Sequence, residues 1–187
     1  MNPVIVYAQV FDDKEIQQIL DLQAQNLSAV LSPEVIASQG FLTVRHDPAV
    51  LLHMNQAYPS VIAKAGVQLA GYCLVMLREF APQVPILAPF FTMLEQLSWQ
   101  GQPLRECRWF VMGQVCVAEA WRGQGVFDGM YQKLRSVCSP DFDFVVTEVA
   151  GRNARSLRAH RRVGFETIHT YPDETTGEIW HVIVWRF

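Results

Sequence analysis

The second half of this chain alternates apolar strands with amphipathic helices, and this alternation constrains the fold more than any other feature of the sequence. Its elements, in chain order, are a strand at 108–117, a helix at 127–137, a strand at 142–149 and a helix at 153–163. Two strands joined by a helix lie parallel in one sheet, because the helix returns the chain to the end that it left. Strands at 165–171 and 178–187 follow. The pattern predicts an α/β chain with a mixed sheet, parallel here and antiparallel elsewhere.

The first half contains strands and short helices in a less regular order. The predicted elements are a strand at 4–9, helices at about 13–25, 33–39 and 48–56, and a hairpin with strands at 60–65 and 68–77. The segment at 78–103 carries four prolines and is expected to cover one end of the sheet, with a short helix between 90 and 97. No repeat or linker is found, so a single domain over 1–187 is predicted.

The composition excludes several classes of protein. Half of the 187 residues are apolar, 18% are charged and the net charge is −3, which is typical of a globular protein and not of one that binds a nucleic acid backbone. No apolar stretch suits a membrane span and the start resembles no signal peptide, so a cytoplasmic location is expected. Cys73, Cys107, Cys116 and Cys138 have neither zinc-site nor redox-pair spacing, so no metal site is predicted.

A glycine-rich turn, Arg122-Gly-Gln-Gly125, follows the strand at 108–117. Glycine lets the backbone approach a ligand closely, and the first turn of a helix leaves amide groups free to bind a phosphate. Arg122 can add a charge-assisted hydrogen bond. The segment therefore indicates either a pyrophosphate site or an ordinary turn, since short glycine patterns are common.

A second informative segment, at 153–165, follows the buried strand. In this segment Asn153 can cap a basic helix, and Gly164-Phe165 ends that helix and begins a strand. With both segments present, separated by one helix and one strand, the chain resembles the GNAT family of acetyltransferases. The first segment is similar to the family's pyrophosphate loop at Arg122 and Gly125, and the second to its helix that runs from an asparagine to Gly-Phe.

The resemblance implies a GNAT fold, in which a central mixed sheet of six to seven strands is flanked by helices and splayed around 112–117 and 144–149. It also implies direct transfer of an acetyl group from acetyl-CoA, the co-substrate, to a primary amine of a small molecule or peptide. Pantetheine would lie between the splayed strands. The cofactor-binding residues that the resemblance implies are Val115, Val117, Arg122, Gly123, Gln124, Gly125, Val126, Phe127, Asn153 and Ser156.

The implied reaction needs an oxyanion donor, a base and an acid. A backbone amide near Cys116 would polarise the thioester oxygen. The candidate bases are Glu148, Glu119 and a water held by Gln114, and burial on an apolar strand would raise the pKa of Glu148 and make it a better base. His160 stands where many family members carry a tyrosine that protonates the leaving thiolate, and histidine can do the same. Glu148 could equally be paired with an arginine or amide, and His160 could equally be a surface residue.

Two features leave further alternatives open. Phe127 replaces the small residue that ends the family's loop, so its ring either points into the core or crowds the phosphates. Arg155, Arg158 and Arg162 fall on one helical face, which either attracts the 3′-phosphate of CoA or is simply solvated.

The alternative function is a non-catalytic acyl-CoA-binding module of the same fold. A nucleotide-binding protein is disfavoured because no P-loop lysine follows the glycines. The segments at 26–41 and 78–103 are expected to build the acceptor pocket, and their apolar composition favours a hydrophobic amine over a polyamine. Trp180 and Trp185 are expected to be exposed, where they could form the edge of a homodimer.

Overall fold

The computed structural model describes residues 3–174 and 176–187. Its helices are α1 (Asp13–Asn26), α2 (Pro33–Gln39), α3 (Pro48–Ala57), α4 (Ala88–Leu94), α5 (Val126–Cys138) and α6 (Ala154–Val163). Its strands are β1 (Ile5–Gln9), β2 (Val61–Ala65), β3 (Gln68–Met76), β4 (Ser98–Trp99), β5 (Gln102–Pro103), β6 (Trp109–Val117), β7 (Phe144–Ala150), β8 (Glu166–Pro172) and β9 (Ile179–Arg186). The helix expected between 90 and 97 begins and ends earlier, as α4, because Pro89 fits its first turn, where no amide is needed.

Seven strands form one sheet in the order β1-β2-β3-β6-β7-β9-β8. The neighbouring strands are antiparallel except β6 and β7, which are parallel and are connected through α5. β4 and β5 pair separately as a short hairpin. The predicted mixed sheet, with its parallel pairing around α5, is therefore confirmed.

β6 and β7 pair only at their beginnings and then separate. Their register ends at Val111 opposite Val146. Just beyond it, the Thr147 hydroxyl donates to the Met112 carbonyl at 3.0 Å. On the other side of β6, the register with β3 skips Gly113, and a bulge of this kind bends the strand. The predicted splay between the two strands is confirmed.

Helices cover both faces of the sheet. α5 buries Val126, Met130 and Leu134 against one face of β2 and β3. α1 buries Ile16 and Ile19 against the opposite face, because successive residues of a strand point to opposite sides. Burial of apolar side chains on both faces stabilises the sheet. The pairing of its strands is interrupted at the opening between β6 and β7.

The expected exposure of two tryptophans is wrong. Trp185 is buried at 5% exposure, because its ring meets Tyr131 edge-on and stacks on Phe165. Trp180 is half-buried and lines a cavity described below. Neither ring provides the exposed dimer edge that the sequence suggested.

The cysteines are all free thiols, and Cys73, Cys116 and Cys138 are buried. Within the described residues, His, Cys, Asp and Glu side chains form no group of three that could hold a metal ion. Over the same part of the chain, the helices are too short or too polar to cross a membrane.

Candidate active site

The glycine-rich turn and the first turn of α5 border a cavity of about 440 Å³, which we call the cradle. Gly125 is the N-cap of α5 with a φ of 78°, and Gly123 has a φ of 75°. Glycine adopts these angles without strain, and no described side chain caps the helix, so its first amides lack partners within the helix. Val126 is buried beneath the turn. Free amides and the positive end of the helix dipole suit the cradle to an anion such as pyrophosphate.

Arg122 connects the cradle to the neighbouring helices. Its Nε donates to the Val117 carbonyl at 3.0 Å, its Nη2 to Asn26 Oδ1 at 2.6 Å and its Nη1 to Gln39 Oε1 at 3.3 Å. These bonds tie the end of β6 to the ends of α1 and α2. Because most of its donors are used, we expect Arg122 to act on a bound phosphate mainly through its charge.

Three arginines of α6 add to the positive charge around the cradle. Arg155, Arg158 and Arg162 all line it, as their common helical face predicted. Burial, together with the charges of Arg122 and Arg158, lowers the pKa of Arg155 below its ordinary value. Arg162 is paired with Asp128 through two bonds of 2.7 Å and 3.0 Å. Asp128 also lines the cradle and offsets the charge of Arg162, so Arg122, Arg155 and Arg158 are the cations that favour an anion there.

Phe127 does not fill the cradle. Its ring centroid lies 5.0 Å from that of Tyr131 and 5.1 Å from that of His160, so the ring belongs to an aromatic cluster while one side lines the cavity. Of the two orientations considered for Phe127, the structure has the one that points toward the core. The Gln124 side chain turns back and donates to the Ala120 carbonyl at 2.8 Å, and Gln124, expected to bind the cofactor, does not line the cradle as Gly123 and Gly125 do.

The opening between β6 and β7 continues from the cradle, and we call it the gap. It is a narrow space of about 100 Å³, lined by Val115 on β6 and Val149 on β7. Val115 and Val117 pair with β3 on one side, and on the other side no described strand pairs with them. Burial raises the pKa of the Cys116 thiol to about 12, so this side chain is no nucleophile and only its backbone can contribute.

Asn153 and Ser156 line both the cradle and the gap. Asn153 Oδ1 accepts from the Ser156 amide at 3.2 Å and caps α6, while its Nδ2 donates to the Phe41 carbonyl at 3.3 Å. The loop at Gly40 passes so close that a Cβ there would lie 2.9 Å from Asn153 Oδ1. Asn153 therefore orders the wall of the site, and the Ser156 hydroxyl, which lies 3.2 Å from His160 Nδ1, is the second polar side chain at this junction.

His160 lies on the inner face of α6, is 2% exposed and contributes to the lining of the gap. Its Nδ1 lies 2.8 Å from the Ser156 carbonyl, which can only accept, so Nδ1 carries the ring proton. Its Nε2 therefore accepts from the Tyr131 hydroxyl at 2.8 Å. Burial lowers the pKa of His160 to about 4, so the ring is neutral at pH 7. A buried, neutral imidazole with both nitrogens bonded does not suit the proton donor expected at this position, and it is not a surface residue either.

A third cavity adjoins the gap, and we call it the outer pocket. It has a volume of about 850 Å³ and lies between the segment before α4 and the turn that joins β8 to β9. Glu148 lines both the gap and the outer pocket and accepts a hydrogen bond from the Tyr171 hydroxyl. Burial raises the pKa of Glu148 to about 7, although the bond from Tyr171 acts in the opposite direction. A carboxyl group with this pKa can exchange a proton near neutral pH.

The other two candidate bases are placed less well. Glu119 is exposed and lines none of the three cavities. Gln114 is buried, with its Oε1 accepting from Gln23 at 2.7 Å and from the Tyr72 hydroxyl at 2.6 Å. Its Nε2 donates to the Val44 carbonyl at 2.8 Å, so Gln114 has one donor left with which to hold a water.

Sequence reasoning missed one side of the outer pocket. It expected the acceptor site at 26–41 and 78–103, whereas residues of the first segment line the cradle and those of the second reach the outer pocket. The remaining wall comes from Tyr171 and the turn between β8 and β9. No local signal marks Tyr171, because its approach to Glu148 depends on the pairing of β8 with β9 and of β9 with β7.

Comparison with known proteins relates the chain to solved structures. No protein-family model matches the sequence, and no curated protein matches it. NAA60 of Arabidopsis thaliana, solved in complex with acetyl-CoA, is 12% identical, and the match covers 98% of this chain and 100% of that one with a TM-score of 0.65. YncA of Salmonella typhimurium, solved with its cofactor acetyl-CoA, is 16% identical over 97% of this chain and 93% of its own, with a TM-score of 0.63. A protein of Desulfovibrio desulfuricans assigned to the GNAT family is 11% identical over 98% and 99%, with a TM-score of 0.63. At these identities the likeness shows the fold alone.

Proposed function

Because this chain has the GNAT fold, we propose that it is an N-acetyltransferase that moves an acetyl group from acetyl-CoA directly to a primary amine. NAA60 and YncA, which share the fold, were solved with acetyl-CoA, and this supports acetyl-CoA as the co-substrate here. The thioester supplies the activated acetyl group. The single domain and the cytoplasmic location stay predictions.

The observation that carries this proposal is that the three cavities adjoin one another in the order cradle, gap and outer pocket. The cradle and the gap share Asn153 and Ser156, and the gap and the outer pocket share Glu148 and Trp180. The cradle suits a pyrophosphate, the narrow gap suits a pantetheine arm, and the outer pocket suits an acceptor. This order would bring an amine and a thioester together beside the Glu148 carboxylate.

In this proposal Glu148 acts as the general base. An ammonium group in the outer pocket gives a proton to the Glu148 carboxylate, and the freed amine attacks the thioester carbonyl carbon. As the C–S bond breaks, the nitrogen of the new amide loses its remaining extra proton to the leaving thiolate, directly or through water, and Glu148 releases its own proton to solvent. A backbone amide of β6 near Cys116 would stabilise the negative charge that develops on the carbonyl oxygen.

We assign His160 a positioning role in place of the expected proton donation. Its Nδ1–H holds the Ser156 carbonyl, and Tyr131 holds its Nε2, so the ring fixes the first turns of α6 beside the gap. Loss of the ring would then disturb the position of Ser156 and leave the ionisation of the reacting groups unchanged.

Isothermal titration calorimetry with acetyl-CoA tests the cradle first. We expect micromolar binding that Gly125→Glu weakens about hundredfold or more, because a carboxylate enters the cradle and a side chain strains the left-handed backbone. Gly66→Glu is the matched control, since Gly66 has a φ of 63° and equally open surroundings but lies in the β2–β3 turn. Absence of binding by the native protein, or equal loss in both variants, would contradict the proposal.

Release of free CoA thiol in the presence of primary amines tests the chemistry. Glu148→Gln keeps the size of the side chain and an acceptor for Tyr171 but cannot take up a proton, so kcat should fall by about 10²- to 10⁴-fold. Acetyl-CoA affinity should be unchanged. Glu119→Gln is the control and should retain native activity, whereas the reverse result would make Glu119 the base.

A non-catalytic acyl-CoA-binding module is the second candidate function. The burial of His160 favours it, because the position of the family's proton donor holds no exposed acid. Acetyl-CoA binding without thiol release for any amine would support the module. Turnover that Glu148→Gln abolishes would exclude it.

A further inference from the structure

One side of the outer pocket is acidic. Glu148, Asp173 and Glu178 line it, and Arg152 is the only cationic side chain of the described residues in its lining. Arg152 is already engaged, since its Nε pairs with Glu178 at 2.5 Å and its guanidinium lies 4.6 Å from the centre of the Phe41 ring. The lining therefore has three carboxyl groups and one guanidinium group, and a wall of this composition favours a cation over an anion.

A second part of the same pocket is apolar. It consists of Ile86, Leu87, Pro89 and Phe90, from the segment that leads into α4. Ile86 is 68% exposed, and Ile179, which lines the pocket at the start of β9, is 43% exposed. Large apolar side chains at the mouth of a cavity lose contact with water when an apolar group covers them, and this burial is favourable.

Both surfaces reach the gap. Glu148 lines the gap as well as the outer pocket, so the acidic side includes the end at which acetyl transfer is proposed. Leu87 and Phe90 of the apolar part also line both cavities, whereas Ile86 lines the outer pocket alone. An amine bound with its nitrogen at Glu148 would therefore have its substituent beside the apolar part, which extends from Leu87 and Phe90 to Ile86.

We propose that the acceptor is a primary amine on an apolar group, with no carboxylate on the carbon that bears the nitrogen. This inference rests on the proposed function of the site. A carboxylate at that carbon would face Glu148 and Asp173 while Arg152 is occupied by Glu178, and a second cation in its place would lie against the apolar segment at Ile86. A small hydrophobic amine and the N-terminus of a peptide with an apolar first residue share this chemistry.

A panel of matched amines in the thiol-release assay tests the inference. Leucinamide should exceed both leucine, which adds the carboxylate, and glycinamide, which lacks the apolar group, by about tenfold or more in kcat/KM. A leucine-initiated tripeptide amide separates the two sources, because equal rates indicate a small amine and faster reaction of the tripeptide indicates a peptide. Leucine or 1,4-diaminobutane reacting as well as leucinamide would overturn the inference.

Two variants assign the selectivity to the pocket. Ile86→Asp should remove the preference for leucinamide over glycinamide and leave acetyl-CoA affinity unchanged. Its matched control is Val67→Asp, because Val67 is 79% exposed in the β2–β3 turn, outside the three cavities. Asp173→Asn should raise the ratio of kcat/KM for leucine to kcat/KM for leucinamide by about tenfold. Unchanged selectivity in both variants would contradict the assignment.

Calorimetry separates failure of this inference from failure of the proposed function. The function fails if acetyl-CoA does not bind or no amine releases thiol. In that case the acceptor inference can still be tested, by titrating leucinamide and leucine into the protein with and without CoA. Tighter binding of leucinamide supports the inference, and equal binding, tighter binding of leucine or binding of neither overturns it.

Discussion

Glu148 links stability to proton transfer through a single pKa. Its pKa rises from 4.5 to about 7 on folding, so the folded state holds the proton more tightly than the unfolded state. The stability that this gives is fully present below pH 4.5 and is lost as the pH rises through 7. The same deprotonation produces the carboxylate that the proposed reaction needs, so the active form of the site is also its less stable form.

We expect Glu148→Gln to stabilise the protein at pH 8.5 by on the order of 2 kcal/mol, because it removes a buried charge, and to have little effect at pH 4.5. Urea unfolding at the two pH values measures the difference. Glu166→Gln on the exposed edge strand β8 is the control and should show no change. An equal effect of Glu148→Gln at both pH values would contradict the raised pKa.

The rate should follow the same ionisation. We expect kcat/KM of the native protein to rise with pH and to level off above about 7, as Glu148 becomes a carboxylate. If kcat/KM falls again at higher pH, and this fall disappears in His160→Gln, then His160 is the proton donor. The pH dependence of initial rates decides between these outcomes.

The contribution of His160 should instead appear in the free energy of unfolding at acidic pH. Its pKa falls from 6.5 to about 4 on folding, so its contribution is present above pH 6.5 and lost as the pH falls through 4. We expect His160→Gln to cost about 1 to 3 kcal/mol at pH 7, and less as the pH approaches 4, because the native protein then loses the same contribution. His53→Gln, at an exposed position, is the control and should leave the free energy of unfolding at pH 7 close to the native value. A His160→Gln difference that stays constant from pH 7 to pH 4 would contradict the lowered pKa.

At the scale of elements, helix α6 is the part of the fold that connects stability to the ligand site. Its N-cap, Asn153, accepts from the Ser156 amide and also holds the loop at Phe41. Its arginines line the cradle, and His160 anchors it to α5 through Tyr131. A change at the start of α6 therefore reaches both the cradle and the gap.

We expect Asn153→Ala to lower the free energy of unfolding by about 1 kcal/mol and to weaken acetyl-CoA binding by about fivefold or more, because a cap and the loop contact are lost together. Asp12→Ala is the matched control, since Asp12 caps α1 by accepting from the Glu15 amide at 2.9 Å, away from the cavities. It should cost similar stability without changing affinity. Equal affinities in the two variants would show that α6 is only structural. Chemical unfolding and calorimetry measure the two quantities.

At the scale of the whole molecule, β3, β6 and β7 are held by helices on both faces, while the gap between β6 and β7 is bridged by no described strand. A ligand that spans the cradle and the gap would contact α5, α6 and both strands at once. Such a ligand binds the folded state alone, so it stabilises that state by mass action.

Acetyl-CoA at about 100 times its Kd should therefore stabilise the protein by about 2.7 kcal/mol and raise Tm by roughly 5 to 10 °C. Differential scanning fluorimetry measures the shift. Gly66→Glu should show the native shift and Gly125→Glu almost none. No shift in the native protein at saturating acetyl-CoA would contradict the location of the site.

The sequence by itself determined the features that depend on neighbours along the chain. The alternation of strands and helices predicted the mixed sheet, and the glycines at 123 and 125 and the cap at Asn153 predicted the cradle, whereas the splay was implied by the resemblance to the GNAT family. Backbone conformation and helix capping depend on residues only a few positions apart, so these features can be read without knowing the packing.

The tertiary structure alone decided what depends on residues far apart in the chain. It placed Tyr171 against Glu148, brought the β8–β9 turn to the outer pocket, engaged Arg122 with Asn26 and Gln39, and buried His160 and Trp185. Basicity, burial and the shape of a pocket are set by desolvation and by contacts across the sheet, and the spacing of residues along the chain contains neither. The sequence could therefore propose His160 as an acid and Glu148 as a base. Only the packing shows that burial lowers the pKa of His160 and raises the pKa of Glu148.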